Sequence, residues 1–128
     1  MVDRGHGTIL AIVDDDASVR IALLGLMKAA GVRARAFASA EELLESGLLP
    51  QTVCLVADVR MPGMSGLELL DWLNARRAGV PVIFITAHGD AEARERASRG
   101  GAVLFLEKPF DDEVLLEGVR AAMAASPR

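Results

Sequence analysis

Thr8-Ile9-Leu10-Ala11-Ile12-Val13-Asp14-Asp15-Asp16 is the stretch on which the fold turns: an unbroken apolar run that stops on three consecutive carboxylates. Runs of the same kind occupy 52–57, 81–85 and 102–106. Each is followed by a polar group with its own chemistry: Asp58, Thr86 and Lys108-Pro109. Unbroken hydrophobicity over so few residues suits strands buried on both faces, as in parallel sheets. Parallel strands of one sheet share the edge at which their C-terminal ends lie. The polar groups are therefore expected to converge in one crevice.

The segment 32–37 has a different pattern. Arg33 and Arg35 alternate with Val32, Ala34 and Ala36, as in an edge strand where charge discourages mispairing. Helical patterns fill the gaps between strands. Val19, Leu23, Leu26 and Ala30 recur at helix spacing, and Gly31 reads as the stop. Ser39-Ala40-Glu41-Glu42 and Ser65-Gly66-Leu67-Glu68 fit the capping box that opens a helix. Asp90 and Asp111 read as N-caps of the last two helices, and Asp16 as the cap of the first. Strand then helix, five times over, predicts a single doubly wound α/β domain with no repeats or linkers.

Composition narrows the function classes. With 128 residues, 52 % hydrophobic and 25 % charged, the chain can bury a core of its own, and disorder is not expected. A net charge of −4, from 14 basic and 18 acidic residues, argues against a surface for nucleic-acid phosphates. The lone Cys54 excludes an internal disulfide and a cysteine-based zinc site, and its apolar run predicts a buried, reduced thiol. No apolar stretch approaches the roughly 20 residues of a membrane span. The start, Met1 to Gly7, lacks a signal-peptide core. A cytoplasmic protein is expected.

Three carboxylates, a hydroxyl and an ammonium at one sheet edge point to metal-assisted phosphoryl chemistry. Mg²⁺ takes oxygen ligands in an octahedron and keeps several waters, so Asp14 and Asp15 can hold it, one directly and one through water. Asp58 would then face an incoming phosphoryl group as the nucleophile of an in-line displacement. Lys108 supplies a second cation, and the Thr86 hydroxyl can donate to a phosphoryl oxygen. Three crowded carboxylates repel one another, so a cation or Lys108 is expected close by. Plainer readings exist for each residue: Asp58 as a turn residue before Met61-Pro62-Gly63, Thr86 as a strand end, Lys108 as a loop lysine, Phe105 as core. His88 reads as a loop residue, Met61 and Met64 as packing, and Trp72 as part of an amphipathic helix.

Together these residues match a family. Ile12-Val13-Asp14-Asp15-Asp16, Asp58-Val59-Arg60-Met61-Pro62-Gly63-Met64-Ser65-Gly66, Ile85-Thr86-Ala87-His88-Gly89 and Lys108-Pro109-Phe110 stand in order at strand ends. In this the chain resembles the receiver domain of two-component response regulators, from Thr8 to about Ala122, with 1–128 as one domain. The resemblance implies a flavodoxin-like (βα)5 fold, strand order 2-1-3-4-5 and a cis Lys108-Pro109 bond. It implies Asp58 as phosphoacceptor, and a site for Mg²⁺ (or Mn²⁺) built from Asp14, Asp15, Asp58 and the main-chain carbonyl of Arg60. Asp15 would hold the metal directly and Asp14 through water. Thr86 and Lys108 would read the phosphoryl group, and Thr86 with Phe105 would act as the switch.

The implied partners are a histidine kinase or phosphotransfer protein and, on phosphorylation, a second copy meeting the surface of the fourth helix, fifth strand and fifth helix. The implied role is a signalling switch that assists its own phosphorylation and dephosphorylation, not a conventional turnover enzyme. No direct binding of nucleic acid and no membrane contact are expected of it. The Ser-Ala-Glu-Glu and Val-Arg-Met-Pro-Gly-Met-Ser-Gly segments resemble receivers that precede LuxR-type helix-turn-helix domains, which is analogy alone.

Three features depart from the family pattern: Phe105 has no hydroxyl, Glu107 stands where an apolar residue is common, and Gly100-Gly101 adds a glycine after the fourth helix. A dehalogenase-type hydrolase is the competing reading, with Asp14-Asp15-Asp16-Ala17-Ser18 as its nucleophile motif and Asp111-Asp112 as a second acidic pair. It leaves Asp58 and the Met-Pro-Gly turn unexplained, puts Asp111-Asp112 at a helix start, and lacks a cap segment. A pseudo-receiver used only for docking is disfavoured, because every phosphoryl-handling residue is present.

Overall fold

The computed structural model describes residues 7–125. Five strands, β1 (Ile9–Val13), β2 (Ala34–Phe37), β3 (Thr52–Asp58), β4 (Val82–Thr86) and β5 (Leu104–Glu107), alternate with five helices. These are α1 (Ala17–Ala29), α2 (Ala40–Glu45), α3 (Gly66–Ala75), α4 (Ala91–Arg99) and α5 (Asp112–Ala125). All strand pairs are parallel, in the order β2-β1-β3-β4-β5. The reversal of direction falls between β1 and β3, so their C-terminal ends border the crevice where such sheets place their ligands.

Side chains alternate across a strand, and here the alternation divides two cores. Leu10, Ile12, Cys54, Val56, Ile83 and Ile85 face Leu23 and Met27 of α1 and Leu115, Leu116, Val119 and Ala122 of α5. Ala11, Val13, Leu55, Ala57, Val82 and Phe84 face Leu43 of α2, Leu69, Leu70 and Leu73 of α3, and Ala93 and Ala97 of α4. Cys54 is buried as read, and burial pushes its thiol up to about 12.

The helix starts follow the reading with one variation. Asp16 accepts from the Ser18 backbone N–H and Asp90 from that of Ala93. Asp111 accepts from the Glu113 N–H. Ser65 and Glu68 make the full capping box. At α2, Ser39 accepts from the Glu42 N–H, but Glu42 reaches back to the N–H of Ala38, one residue earlier than the motif requires. A short 3₁₀ turn, Leu49–Gln51, precedes β3.

One expectation is corrected. The run 102–106 read as a strand buried on both faces, yet β5 is half-buried and Val103 is exposed. It lies at the sheet margin with a neighbour on one side only, so its apolar residues pack inward without being covered. Among the described residues no helix is long and apolar enough to cross a membrane.

Candidate phosphoryl-transfer site

Asp14 closes β1 and is buried; Asp58 closes β3 and is partly buried; Asp15 follows Asp14 in the open. One carboxylate oxygen from each lies within 4.8 Å of the others. The β1–β3 register brings this about by pairing Val13 with Ala57, so both strands deliver their acids at the same level. The two oxygens of Asp14 differ in surroundings. Oδ1 accepts the backbone N–H of Asp16 at 2.9 Å, while buried Oδ2 has no hydrogen bond. Its nearest counter-charge is the Lys108 ammonium at 3.7 Å. An orphaned, buried carboxylate oxygen is costly. Together with the all-oxygen donor set around it, this oxygen fits a hard divalent cation.

Burial raises the Asp14 carboxyl above its ordinary range, although the Asp16 N–H and Lys108 pull it down. Burial first, and Asp14 second, raise Asp58. In both, the desolvated anion outweighs its local donors.

Lys108 reaches this cluster because its backbone N–H is bonded to the Thr86 carbonyl at 2.8 Å, and the Lys108-Pro109 bond is cis, as the resemblance implied. Thr86 ends β4 one residue beyond Ile85, the register partner of Asp58. It is buried, and its hydroxyl oxygen accepts the His88 N–H at 3.3 Å. Phe105 sits farther out on β5. Its ring is 6.3 Å from that of Phe84, and the Arg94 guanidinium lies 4.7 Å above its face. The predicted residues thus comprise an acidic cluster with Lys108 beside Asp14, Thr86 bonded to Lys108 through the backbone, and Phe105 farther out against Phe84.

The loop after Asp58 supplies the remaining predicted residue, Arg60. Its N–H points at Asp58 Oδ1 over 3.4 Å, and its guanidinium binds Asp90 Oδ2 at 2.7 Å. Gly66 lets α3 begin directly against the strand end. A Cβ there would fall 2.1 Å from the Asp58 carbonyl oxygen, and its N–H donates to the Val59 carbonyl. No side chain fits at that position.

Sequence reasoning missed three contributors. The Arg20 guanidinium donates to the Asp14 carbonyl at 2.8 Å. Asp90 read only as a cap, yet it also holds Arg60. Arg94 was not singled out at all, yet it binds Glu107 at 3.3 Å while stacking on Phe105. None carries a local signal, since each partner comes from another element or another turn.

A family model described as the response regulator receiver domain matches residues 10–120. Nodulation protein W of Bradyrhizobium diazoefficiens is 47 % identical over 114 residues, covering 89 % of this chain and 50 % of that protein. Transcriptional regulatory protein FixJ of Azorhizobium caulinodans is 45 % identical over 115 residues, 90 % of this chain and 54 % of that one. The crystal structure of FixJ-N superposes with a TM-score of 0.84 at 37 % identity, covering all of this chain and 99 % of that one. The chain spans about half the length of the curated relatives it matches.

Proposed function

The chain belongs to the family of response regulator receiver domains, signalling switches of two-component systems rather than conventional enzymes, and from that membership we propose that Asp58 is its phosphoacceptor. The observation that carries this reading is the meeting of Asp58 with Asp14 and Asp15 within 4.8 Å at the ends of β1 and β3. We take residues 8–122 as the working unit.

Asp14, Asp15 and Asp58, with the main-chain carbonyl of Arg60, would hold Mg²⁺, or Mn²⁺ in its place. Such an ion, when bound, offsets negative charge on the transferring phosphoryl oxygens. The rest falls to the chain. An Asp58 carboxylate oxygen attacks phosphorus as the bond to the donor's imidazole nitrogen breaks, leaving an acyl phosphate on Asp58 and the imidazole on the donor. Lys108, already drawn to this edge by Asp14, meets the added charge. The Thr86 hydroxyl donates to a phosphoryl oxygen, giving up the position in which it accepts from His88. The same groups would orient a water when the acyl phosphate hydrolyses.

The donor in this reading is a histidine kinase or phosphotransfer protein, and the setting is cytoplasmic. The output is a change in the α4-β5-α5 surface that favours a partner, including a second copy. Incubation with acetyl phosphate and Mg²⁺ should add one phosphoryl group, which peptide mapping places on Asp58 and Asp58→Asn abolishes. Label recovered on Asp14 would move the case to dehalogenase-type chemistry.

A further inference from the structure

The loop 59–65 carries Arg60 away from Asp58 and back to the start of α3, and its tip is fastened from outside. Glu41, in the first turn of α2, points a carboxylate oxygen at the loop and accepts the Met64 N–H at 2.8 Å. That bond holds the Glu41 carboxyl below its usual range. Beside it, Gly63 has a φ of 74°, where a side chain is strained. A Cβ on Gly63 would meet Glu41 Oε2 at 2.6 Å. Glu41 could swing away from such a group, but only by releasing Met64. Gly63 and the carboxylate thus occupy one space that only this pair can share. Elsewhere the loop is tied by Gly66 N–H to the Val59 carbonyl at its base and by Arg60 to Asp90 on its exposed side.

We propose that Glu41 is a positioning residue for the phosphoryl site, latching the Met61–Ser65 turn so that the Arg60 carbonyl and Asp58 present their oxygens to the metal in fixed geometry. The inference rests on the assignment of the metal to Asp14, Asp15, Asp58 and Arg60, and deepens it. A loop that supplies a main-chain ligand has no side-chain rotamer to hold that ligand still; its geometry depends on what pins the backbone. Removing groups that orient a metal's ligands commonly weakens binding by roughly tenfold or more. Glu41 is exposed and lies outside both cores, so its replacement spares the packing of the fold. The Gln side chain keeps a carbonyl oxygen that can accept from Met64, whereas Ala keeps none.

The test is Mg²⁺ titration by calorimetry of the parent, Glu41→Ala, Glu41→Gln and Gly63→Ala chains, with amide hydrogen exchange at Met64 measured on each without metal. Glu41→Ala and Gly63→Ala should deprotect Met64 and weaken Mg²⁺ by roughly tenfold, while Glu41→Gln stays within about threefold of the parent. Equal Mg²⁺ affinity in parent and Glu41→Ala, with Met64 deprotected, would overturn the proposal. So would a Met64 amide that stays protected in Glu41→Ala, or a Glu41→Gln chain as weak as Glu41→Ala. Failure of the underlying site assignment has a separate signature: the parent itself would bind no Mg²⁺, or bind it unchanged after Asp15→Asn.

Discussion

The two halves of the crevice are built on different terms. On the β1–β3 side the acids stand at the ends of strands whose apolar residues are buried, with neighbours on both sides. Their backbone positions follow from the register and the close packing of those strands. On the β4–β5 side, Phe105 sits half-buried on a marginal strand, held by Arg94, whose pair with Glu107 is about half-exposed at each end. Exposed pairs of that kind contribute little. Under the proposed function the contrast separates two duties. Chemistry needs groups held in place before the reaction; a response needs an element whose alternative arrangement lies within a few kcal/mol. The first calls for a central strand and the second for an edge.

The largest effect should separate two neighbouring phenylalanines, Phe84 on the central strand β4 and Phe105 on the edge strand β5. Phe84 is fully buried, and Phe84→Ala should destabilise by about 3–5 kcal/mol. Phe105→Ala should cost about 1–2 kcal/mol, since its ring is only partly covered. Urea unfolding of the two variants measures the difference, and equal losses would break the contrast.

Next comes the electrostatic load on the acidic side. With Asp14 and Asp58 raised above the ordinary value of 3.8, the folded chain holds these protons more tightly than the unfolded chain. Their contribution is fully present below that value and is lost as pH rises through the folded pKa values. Metal-free protein should therefore lose stability on going from pH 4 to 7 relative to an Asp14→Asn, Asp58→Asn double variant. Mg²⁺ at a hundred times its Kd should restore about 2.7 kcal/mol at neutral pH. Asp15→Asn should erase most of that gain, and Asp14→Asn less. Thermal melts at several pH values, with and without Mg²⁺, check both statements. A metal-free melt that rises toward neutral pH faster than that of the double variant would contradict the sign.

A smaller shift is expected where the two sides communicate. A beryllofluoride mimic at Asp58 should draw the Thr86 hydroxyl inward and let the Phe105 ring turn into the space released. Burial of an aromatic ring supplies a driving force sufficient to shift a two-state balance about tenfold. Self-association measured by sedimentation should rise with the mimic. Thr86→Ala should blunt that rise while leaving Asp58 able to accept phosphate. An unchanged monomer fraction removes the dimer, and unchanged amide shifts over residues 86–108 remove the switch.

The smallest effect belongs to Arg94. Arg94→Ala should change global stability by less than about 1 kcal/mol, yet quicken amide exchange in β5 while exchange in β1 and β3 stays as it was. Loss of protection in all three strands would mean that the edge does not open on its own.

The crevice itself was legible because of a topological necessity. Parallel strands joined by helices must bring their C-terminal ends to one edge, so an acid, a hydroxyl or a lysine that terminates an apolar run is placed there before any contact is known. Periodicity marked the runs, and cap residues marked the helix starts. Edge character was legible where charges alternate, as at Arg33 and Arg35, and illegible at β5, whose apolar run looks like a central strand and lacks only a neighbour. The ties between elements left no such trace. Glu41 meets Met64 across 23 positions, Arg60 meets Asp90 across 30, and Arg94 meets Glu107 across 13. Each tie is made by an exposed charged side chain, Glu41, Arg60 or Arg94, and exposure imposes no period on a sequence. A carboxylate at a strand end has its place set by the strand; one on a helix surface gains a partner only from how that helix is laid against the next loop, which the packing of the two cores decides.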